Sequence, residues 1–322
     1  MNELLRILDK ALKKRGYAIK KHTEYNLLPL KSFEGFDIQK SIYTSFNKNH
    51  ERNLNPSSDV GKLEVCLRTC INDKRAKGKR SDLTGVSLED HLMTCINSLI
   101  ISVNDACDKN LDIRFTVIDD RSDAHVLDKI RNLCSALKCN WEVIATEEPG
   151  QGPSLHETFS LAKGKDSLFY FCEDDYLHSK DAISEMISFY QKVFCQTKQH
   201  LLIHPQEHES IYSQFSYPSY IVLGENRRWR TMSHATHTFF VHSSVVNEYW
   251  HYFENTKYMG LKNSKLRHLG SEKKTTDRLF KHVPGFSPIP AVAVHLQELH
   301  CLPPFFNWRE LWEEQEGPLK KN

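Results

Sequence analysis

The stretch FYFCEDDYLH, residues 169–178, decides how the chain is interpreted. It begins as an apolar and aromatic run typical of a buried strand, and it passes directly into three acids, Glu173, Asp174 and Asp175. Adjacent carboxylates repel one another, and acidic residues are depleted in strands. The run therefore predicts a strand that ends near Cys172, with the acids at its carboxyl end. Some other group must offset their repulsion.

The composition is that of a globular protein with a substantial core: 322 residues, 39% hydrophobic and 26% charged. A formal net charge of +2 gives no indication of nucleic-acid binding. No apolar run approaches the ~20 residues of a spanning helix, and the N-terminus lacks the pattern of a secretory signal. The nine cysteines include no CxxC pair. This pattern favours a reducing, cytoplasmic location over a cysteine-bound zinc site.

Three segments are expected along the chain. Residues 1–60 form an N-terminal helix and a polar wrapping segment, residues 61–300 the main domain, and residues 301–322 a tail that packs back on it. The helix, within residues 1–20, has two interpretations. It either docks on the main domain or, as a basic amphipathic helix, makes peripheral contact with a membrane surface.

The main domain alternates strands and helices, and we expect an α/β fold with a mostly parallel central sheet flanked by helices. Ser87 is expected to cap the first of these helices, with Asp90 in its first turn. The predicted strands are 63–68, 113–118, 141–144 and 167–172, and the predicted helices begin after residue 87, at residue 124 and before residue 155. Ligands of such sheets sit beyond the carboxyl ends of the strands. Both acidic clusters, 119–123 and 173–175, fall at such ends.

Carboxylate oxygens suit hard divalent cations, and a Mg²⁺ site commonly combines one or two carboxylates with substrate phosphates. A cation would also relieve the repulsion within the cluster at 173–175. The alternative is a solvated turn, in which acids are common.

The order of strand, acidic turn, helix, strand, glycine turn, helix, strand and acidic triplet resembles that of the GT-A glycosyltransferases, most closely the family 2-like members. The first motif is Asp119-Asp120-Arg121-Ser122-Asp123, and the second is Glu173-Asp174-Asp175. Gly150 and Gly152 lie in the glycine turn between them. The resemblance implies the GT-A fold. Arg121 departs from it, because glycine is usual at that position.

The resemblance also implies roles for the first motif and for the acids of the second. Asp119 or Asp120 would contact the base or ribose of a nucleotide, and Arg121 could face a phosphate. Glu173 or Asp174 would touch the ribose or a metal-bound water.

The metal follows from the same resemblance. Asp175 would ligate a Mn²⁺ or Mg²⁺ ion that bridges the diphosphate of a nucleoside-diphosphate sugar. His295, which ends an apolar run, is a better candidate than His300 for an additional metal ligand.

An inverting transfer needs a general base near the acceptor hydroxyl. Between residues 271 and 280, Asp277 is the first candidate and Glu272 the second. Thr275 or Thr276 is expected to cap a helix there, which would place Asp277 in its first turn, where the helix dipole favours the ionised form. The alternative is that Asp277 is only a favourable first-turn residue.

Arg227 and Arg228 stand in a compact basic group beside Trp229. Forked guanidinium donors could bind the donor phosphates or an acidic acceptor. A solvated loop is the alternative.

The leading hypothesis is a metal-dependent glycosyltransferase that moves a sugar from a nucleotide-sugar donor to a hydroxyl acceptor, a carbohydrate or lipid-linked glycan. A sugar-nucleotide nucleotidyltransferase is the second possibility, although the basic loop after the first strand, residues 71–85, lacks the expected glycine density. A non-catalytic nucleotide- or sugar-binding module of the same fold is the third.

Overall fold

The computed structural model describes residues 58–207, 220–232, 234–261, 266–297, 299, 302–303 and 306–319. The expected N-terminal helix and His300 lie outside these ranges. The strands are β1 (Lys62–Thr69), β2 (Asp112–Asp119), β3 (Asn140–Ala145), β4 (Leu168–Glu173), β5 (Tyr176–His178), β6 (Leu202–Ile203), β7 (Ile221–Leu223), β8 (Arg228–Met232), β9 (Phe239–His242), β10 (Gly285–Ile289) and β11 (Ala293–His295).

The helices follow the same alternation in the first half of the chain. They are α1 (Asp73–Ala76), α2 (Leu88–Asp108), α3 (Ala124–Cys134), α4 (Gln151–Ser160), α5 (Ala182–Thr197), α6 (Ser243–Glu248), α7 (Trp250–Phe253), α8 (Thr276–Leu279) and α9 (Trp308–Leu319). Short 3₁₀ helices cover Glu254–Tyr258, Arg267–Gly270 and Glu272–Lys274. In the described part of the chain, no helix is long and apolar enough to cross a membrane.

Within the described ranges, the main sheet has nine strands in the order β3-β2-β1-β4-β9-β6-β10-β8-β7. Strands β3, β2, β1 and β4 are parallel to one another, as the sequence predicted. Beyond β4 most pairings are antiparallel, and only β6 and β10 run parallel. Strands β11 and β5 form a separate antiparallel pair. The first half therefore has the parallel strands and connecting helices of βαβ units, and the second half extends the same sheet with strands that pair mainly antiparallel.

Local signals explain where the helices begin. The backbone N–H of Asp90 donates to the Ser87 hydroxyl at 3.1 Å, so Ser87 caps α2 as predicted. Helix α4 begins after Gly150, whose φ of 114° is open to glycine and strained for other residues. A Cβ on the next glycine, Gly152, would lie 2.6 Å from the carbonyl oxygens of Lys257 and Met259, so α4 packs directly on that backbone.

Strand β4 is buried on both faces, which explains its unbroken apolar sequence. On one face Tyr170 joins the core formed with α2 and α5, and on the other Phe169 and Phe171 pack near Phe159 of α4. A third cluster seats Trp308 and Trp312 of α9 against β5 and β11. The last helix therefore covers the pair of strands that follows the acidic triplet.

The carboxyl ends of β1, β2 and β4 meet at one edge because the parallel register aligns them. Thr69 of β1 lies beside Asp119 of β2, and Arg68 lies beside Glu173 of β4. The two acidic motifs, residues 119–123 and 173–175, thus lie at the same edge of the sheet.

Candidate active site

A cleft of 560 Å³ lies beyond these three strand ends. Its charged lining mixes acids and bases: Asp120, Glu173, Asp174, Asp175 and Glu272 with Arg68, Arg75, His234 and His295. The fold thus brings the acids at 120 and 173–175 together with His295 and Glu272 in one cleft. A ligand site formed by these predicted residues requires that proximity.

Two of the three adjacent acids are held by arginines from the end of β1 and the helix after it. Glu173 forms an ion pair with Arg68. Asp174 receives a forked pair of hydrogen bonds from Arg75, with Nη1–Oδ2 and Nη2–Oδ1 distances of 2.8 and 3.0 Å. The Asp174 carboxylate raises the pKa of the Arg75 guanidinium. Fixed cations therefore offset the repulsion that the sequence left unexplained.

The third acid, Asp175, pairs with His295. The imidazole Nε2 lies 3.2 Å from Oδ2 of Asp175, and the ring stacks on Tyr176 at a centroid distance of 4.7 Å and an interplanar angle of 5°. Burial alone would lower the pKa of His295, but the Asp175 carboxylate outweighs it and raises that pKa to about 9. The other Asp175 oxygen, Oδ1, is buried and has no hydrogen-bond partner among the described residues.

The first two aspartates of the first acidic motif occupy different environments. Asp119 is buried in the turn itself, where it accepts hydrogen bonds from the Thr69 hydroxyl at 2.8 Å and the Ser122 backbone N–H at 2.9 Å. Asp120 instead lines the cleft and accepts from the backbone N–H of Gly150 at 2.9 Å. Asp119 therefore shapes the turn, and Asp120 is the one that faces a ligand.

Arg121 occupies the position where the resembling enzymes have glycine. Its φ of 59° lies in the left-handed region, the conformation that glycine would supply. The guanidinium is directed to Asp120, at 3.3 Å, and to the backbone carbonyl of Glu147, at 3.2 Å. Arg121 is not among the described residues that line the cleft.

The segment 271–280 differs from the helix that the sequence predicted. A 3₁₀ turn, Glu272–Lys274, is followed by the single turn of α8, and Thr275 precedes α8 without a side-chain cap. The Thr275 hydroxyl bonds back to the carbonyl of Ser271 instead. Asp277 does fall in the first turn, but a helix of one turn has a small dipole, so the expected electrostatic support is weak.

The two base candidates take different positions. Glu272 lines the cleft, and its Oε1 lies 3.6 Å from Nδ1 of the buried His237. Asp277 lies behind His234, whose Nδ1 is 2.9 Å from one Asp277 oxygen and 3.0 Å from the other. Hydrogen bonding to Asp277 raises the pKa of His234. Among the described residues His234, not Asp277, lines the cleft at this point.

Arg227 and Arg228 do not line the cleft in the described part of the chain. Arg227 forms an ion pair with Asp181, and its Nη1 donates to the carbonyl of Pro290 at 3.2 Å. Arg228 is exposed at the start of β8. The arginines in the cleft are Arg68 and Arg75, which sequence reasoning missed. The rule that located the acids would have found Arg68, which lies at the carboxyl end of β1, whereas Arg75 lies on the helix that follows that strand.

Comparison with known proteins places the chain in a family. The model of glycosyl transferase family 2 matches residues 89–250, and the chain belongs to this family. Its helix-flanked α/β sheet is the GT-A fold expected from the sequence. A comparison with curated proteins gives no match.

The solved structures to which the chain is similar include S. aureus TarS 1–349, at 12% identity over 61% of this chain and with a TM-score of 0.37. The inositol-1-phosphate CTP transferase from T. maritima is 14% identical over 80% of this chain and 97% of that one, with a TM-score of 0.41. The chain spans 55% of the TarS 1–349 chain and 36% of a longer TarS chain. The family assignment rests on the sequence match alone.

Proposed function

We propose that the protein transfers a sugar from a nucleoside-diphosphate sugar to a hydroxyl group of a carbohydrate or lipid-linked acceptor. The observation that carries this proposal is the meeting of Asp120 and the Glu173–Asp175 triplet in one cleft of a family 2 domain. The cleft lies beyond the carboxyl ends of parallel strands, where α/β sheets bind their ligands.

The donor nucleotide is proposed to lie along the ends of β1, β2 and β4. Oδ2 of Asp120 accepts from Gly150, and Oδ1 accepts longer hydrogen bonds from Arg121 and Thr146 at 3.3 and 3.4 Å. Each carboxylate oxygen has more than one lone pair, so Asp120 can also accept from a base N–H or a ribose hydroxyl. Glu173, paired with Arg68, is the neighbouring carboxylate for the ribose.

Asp175 and His295 fit a divalent cation. They place a carboxylate oxygen and an imidazole nitrogen side by side, and the unpartnered Oδ1 of Asp175 is a further donor atom. The imidazole would ligate in its neutral form, so a bound cation would have to displace the proton that Asp175 favours. No cluster of three or more His, Cys, Asp or Glu ligands occurs within the described ranges. The remaining ligands would therefore come from the diphosphate and water, as is usual for Mg²⁺. A bound Mn²⁺ or Mg²⁺ ion would stabilise the charge that develops on the leaving diphosphate.

Glu272 is proposed as the general base. Glu272 lines the cleft, and among the described residues no cationic side chain lies within hydrogen-bond distance of it. His237 is 3.6 Å away, and burial lowers the pKa of that imidazole. Glu272 would accept the proton of the acceptor hydroxyl. Asp277 acts through His234, whose ring it holds at the rim of the cleft.

Ligand-induced thermal stabilisation tests the donor site. A panel of nucleoside diphosphates with Mn²⁺ should include at least one that raises the melting temperature, because a ligand of the folded state stabilises it. Asp175→Asn should abolish the cation-dependent part of the shift. Asp128→Asn, a change to a 77% exposed side chain on α3, is the matched control and should keep it. If no nucleoside diphosphate stabilises the protein, the proposed function is wrong.

Transfer itself is tested with the nucleotide sugars of the base selected by that screen. Release of the nucleoside diphosphate should require the wild-type protein and rise when an acceptor glycan is added. A protein that binds the donor but releases no diphosphate with any acceptor would be a binding module.

A further inference from the structure

Arg75 is the cleft residue whose position the family resemblance does not explain. It lies on α1, which directly follows β1, and Asn72 caps that helix by accepting from the Arg75 backbone N–H at 3.3 Å. The guanidinium crosses from this helix to the triplet motif and also donates to the carbonyl of Cys70 at 3.0 Å. The side chain is therefore fixed from two sides.

The Arg75–Asp174 pair turns its cationic side toward the cleft. The Asp174 side chain is 4% exposed and that of Arg75 is 36% exposed. Both oxygens of Asp174 are occupied by Arg75, and Oδ2 also accepts from the backbone N–H of Cys70 at 3.3 Å. Both side chains line the cleft, but a ligand there meets the more exposed guanidinium, because the oxygens of Asp174 already accept hydrogen bonds from Arg75 and Cys70.

The guanidinium also stands next to the proposed phosphate position. Arg75 Nη2 lies 4.0 Å from Oδ2 of Asp175, the carboxylate that pairs with His295. Three hydrogen bonds, to Asp174 and to Cys70, leave the remaining N–H groups of the five-donor fork for a ligand. A planar guanidinium matches two phosphate oxygens at once.

We infer that Arg75 binds the diphosphate of the donor and that Asp174 is a positioning residue that holds the guanidinium for this contact. The inference rests on the proposed function and adds a phosphate ligand to it. It gives Asp174 a different role from the ribose or metal-water contact that the resemblance implies. The chemistry recognised is that of a nucleoside diphosphate, and the contact is lost when the ligand is the bare nucleoside.

Calorimetric titration with three probes tests the contact: the nucleoside diphosphate that stabilises the wild type, the matching monophosphate and the matching nucleoside. Arg75→Gln should weaken diphosphate binding by roughly 10- to 100-fold, the usual size of a charged hydrogen-bond contribution. Nucleoside affinity should stay unchanged. Arg75→Lys keeps the positive charge but not the forked donor geometry, so its diphosphate affinity should lie between that of the wild type and that of Arg75→Gln. Lys77→Gln, at a 74% exposed position directly after α1, is the matched control.

The positioning role of Asp174 has its own readout. Asp174→Asn should weaken diphosphate binding less than Arg75→Gln, with the nucleoside again spared, and the double variant should bind no worse than Arg75→Gln alone. Equal diphosphate affinity in Arg75→Gln and the wild type overturns the inference. So does a parallel loss of nucleoside affinity, which would indicate a structural role. A wild type that binds no nucleoside diphosphate overturns the inference and the proposed function together.

Discussion

The ion pair between Asp175 and His295 predicts a stability difference that depends on pH and needs no ligand to observe. The substitution is Asp175→Asn, which keeps the shape of the side chain and removes its charge. In the folded wild type the carboxylate overcomes the effect of burial and raises the pKa of His295 from its ordinary value of 6.5 to about 9. The variant loses the charge and the hydrogen bond of Asp175, so burial lowers the pKa of the imidazole against only the more distant carboxylates of Glu173 and Asp174, and that pKa should fall below its wild-type value.

The size of the effect follows from the two pKa values. A tenfold change in proton affinity is worth about 1.4 kcal/mol, so a move from 6.5 to about 9 corresponds to about 3 kcal/mol of folding free energy. The folded pKa is raised above the unfolded one. The stabilisation is therefore fully present below pH 6.5 and is lost as the pH rises through about 9.

The assay is urea unfolding of the wild type and the variant at a series of pH values between about 6 and 10, with a chelator present, which spans both pKa limits. The difference in unfolding free energy should be largest at the acidic end and should shrink by about 3 kcal/mol toward the alkaline end, where His295 is neutral in both proteins. Asp128→Asn, on the exposed face of α3, should show no such trend. A difference that stays constant across the series would refute the assignment of the ion pair.

The other predictions concern the cleft chemistry and its support. Glu272→Gln should slow sugar transfer by about 100-fold or more while leaving donor affinity within about twofold, as expected for a general base. Asp277→Asn should slow transfer less than Glu272→Gln does; if it slows transfer more, Asp277 is the base and Glu272 is not. Chelation of divalent cations should weaken nucleoside-diphosphate binding by about tenfold or more, since the cation and the phosphates complete each other's contacts. Gly152→Ala should lower the unfolding free energy by about 1–3 kcal/mol in urea unfolding, because the new methyl group would overlap the carbonyls of Lys257 and Met259.

The sequence was most informative where a pattern is local. Three features that depend on only a few neighbouring residues were predicted and are present in the fold: the apolar run of β4, the serine cap of α2 and the acids at the strand ends. Parallel strands then bring their carboxyl ends together by geometry, which is why Asp120 and Asp175 could be placed in one site from the chain order alone.

Pairing between distant residues is what the sequence did not disclose. Nothing near Arg75 shows that its partner is Asp174, or that Arg227 is bound to Asp181 rather than to a ligand. The single-turn length of the helix at Asp277 was not predicted either, because residues 271–280 have apolar side chains only at positions 279 and 280 and so carry no spacing that would fix where a helix ends. The antiparallel second half of the sheet depends on strands of two to five residues, too short for periodicity to reveal.

The two arginines that pair with acids of the triplet restrict how this cleft can change over evolution. Glu173 and its arginine are 105 positions apart in the chain, and Asp174 and its arginine are 99 apart. Loss of either member would leave a poorly solvated charge at a strand end. Substitutions at such positions are tolerated best in pairs. Among related sequences, residues 68 and 173 should therefore covary, as should residues 75 and 174, and a lineage that loses one acid of the triplet should be found to have lost the matching arginine as well.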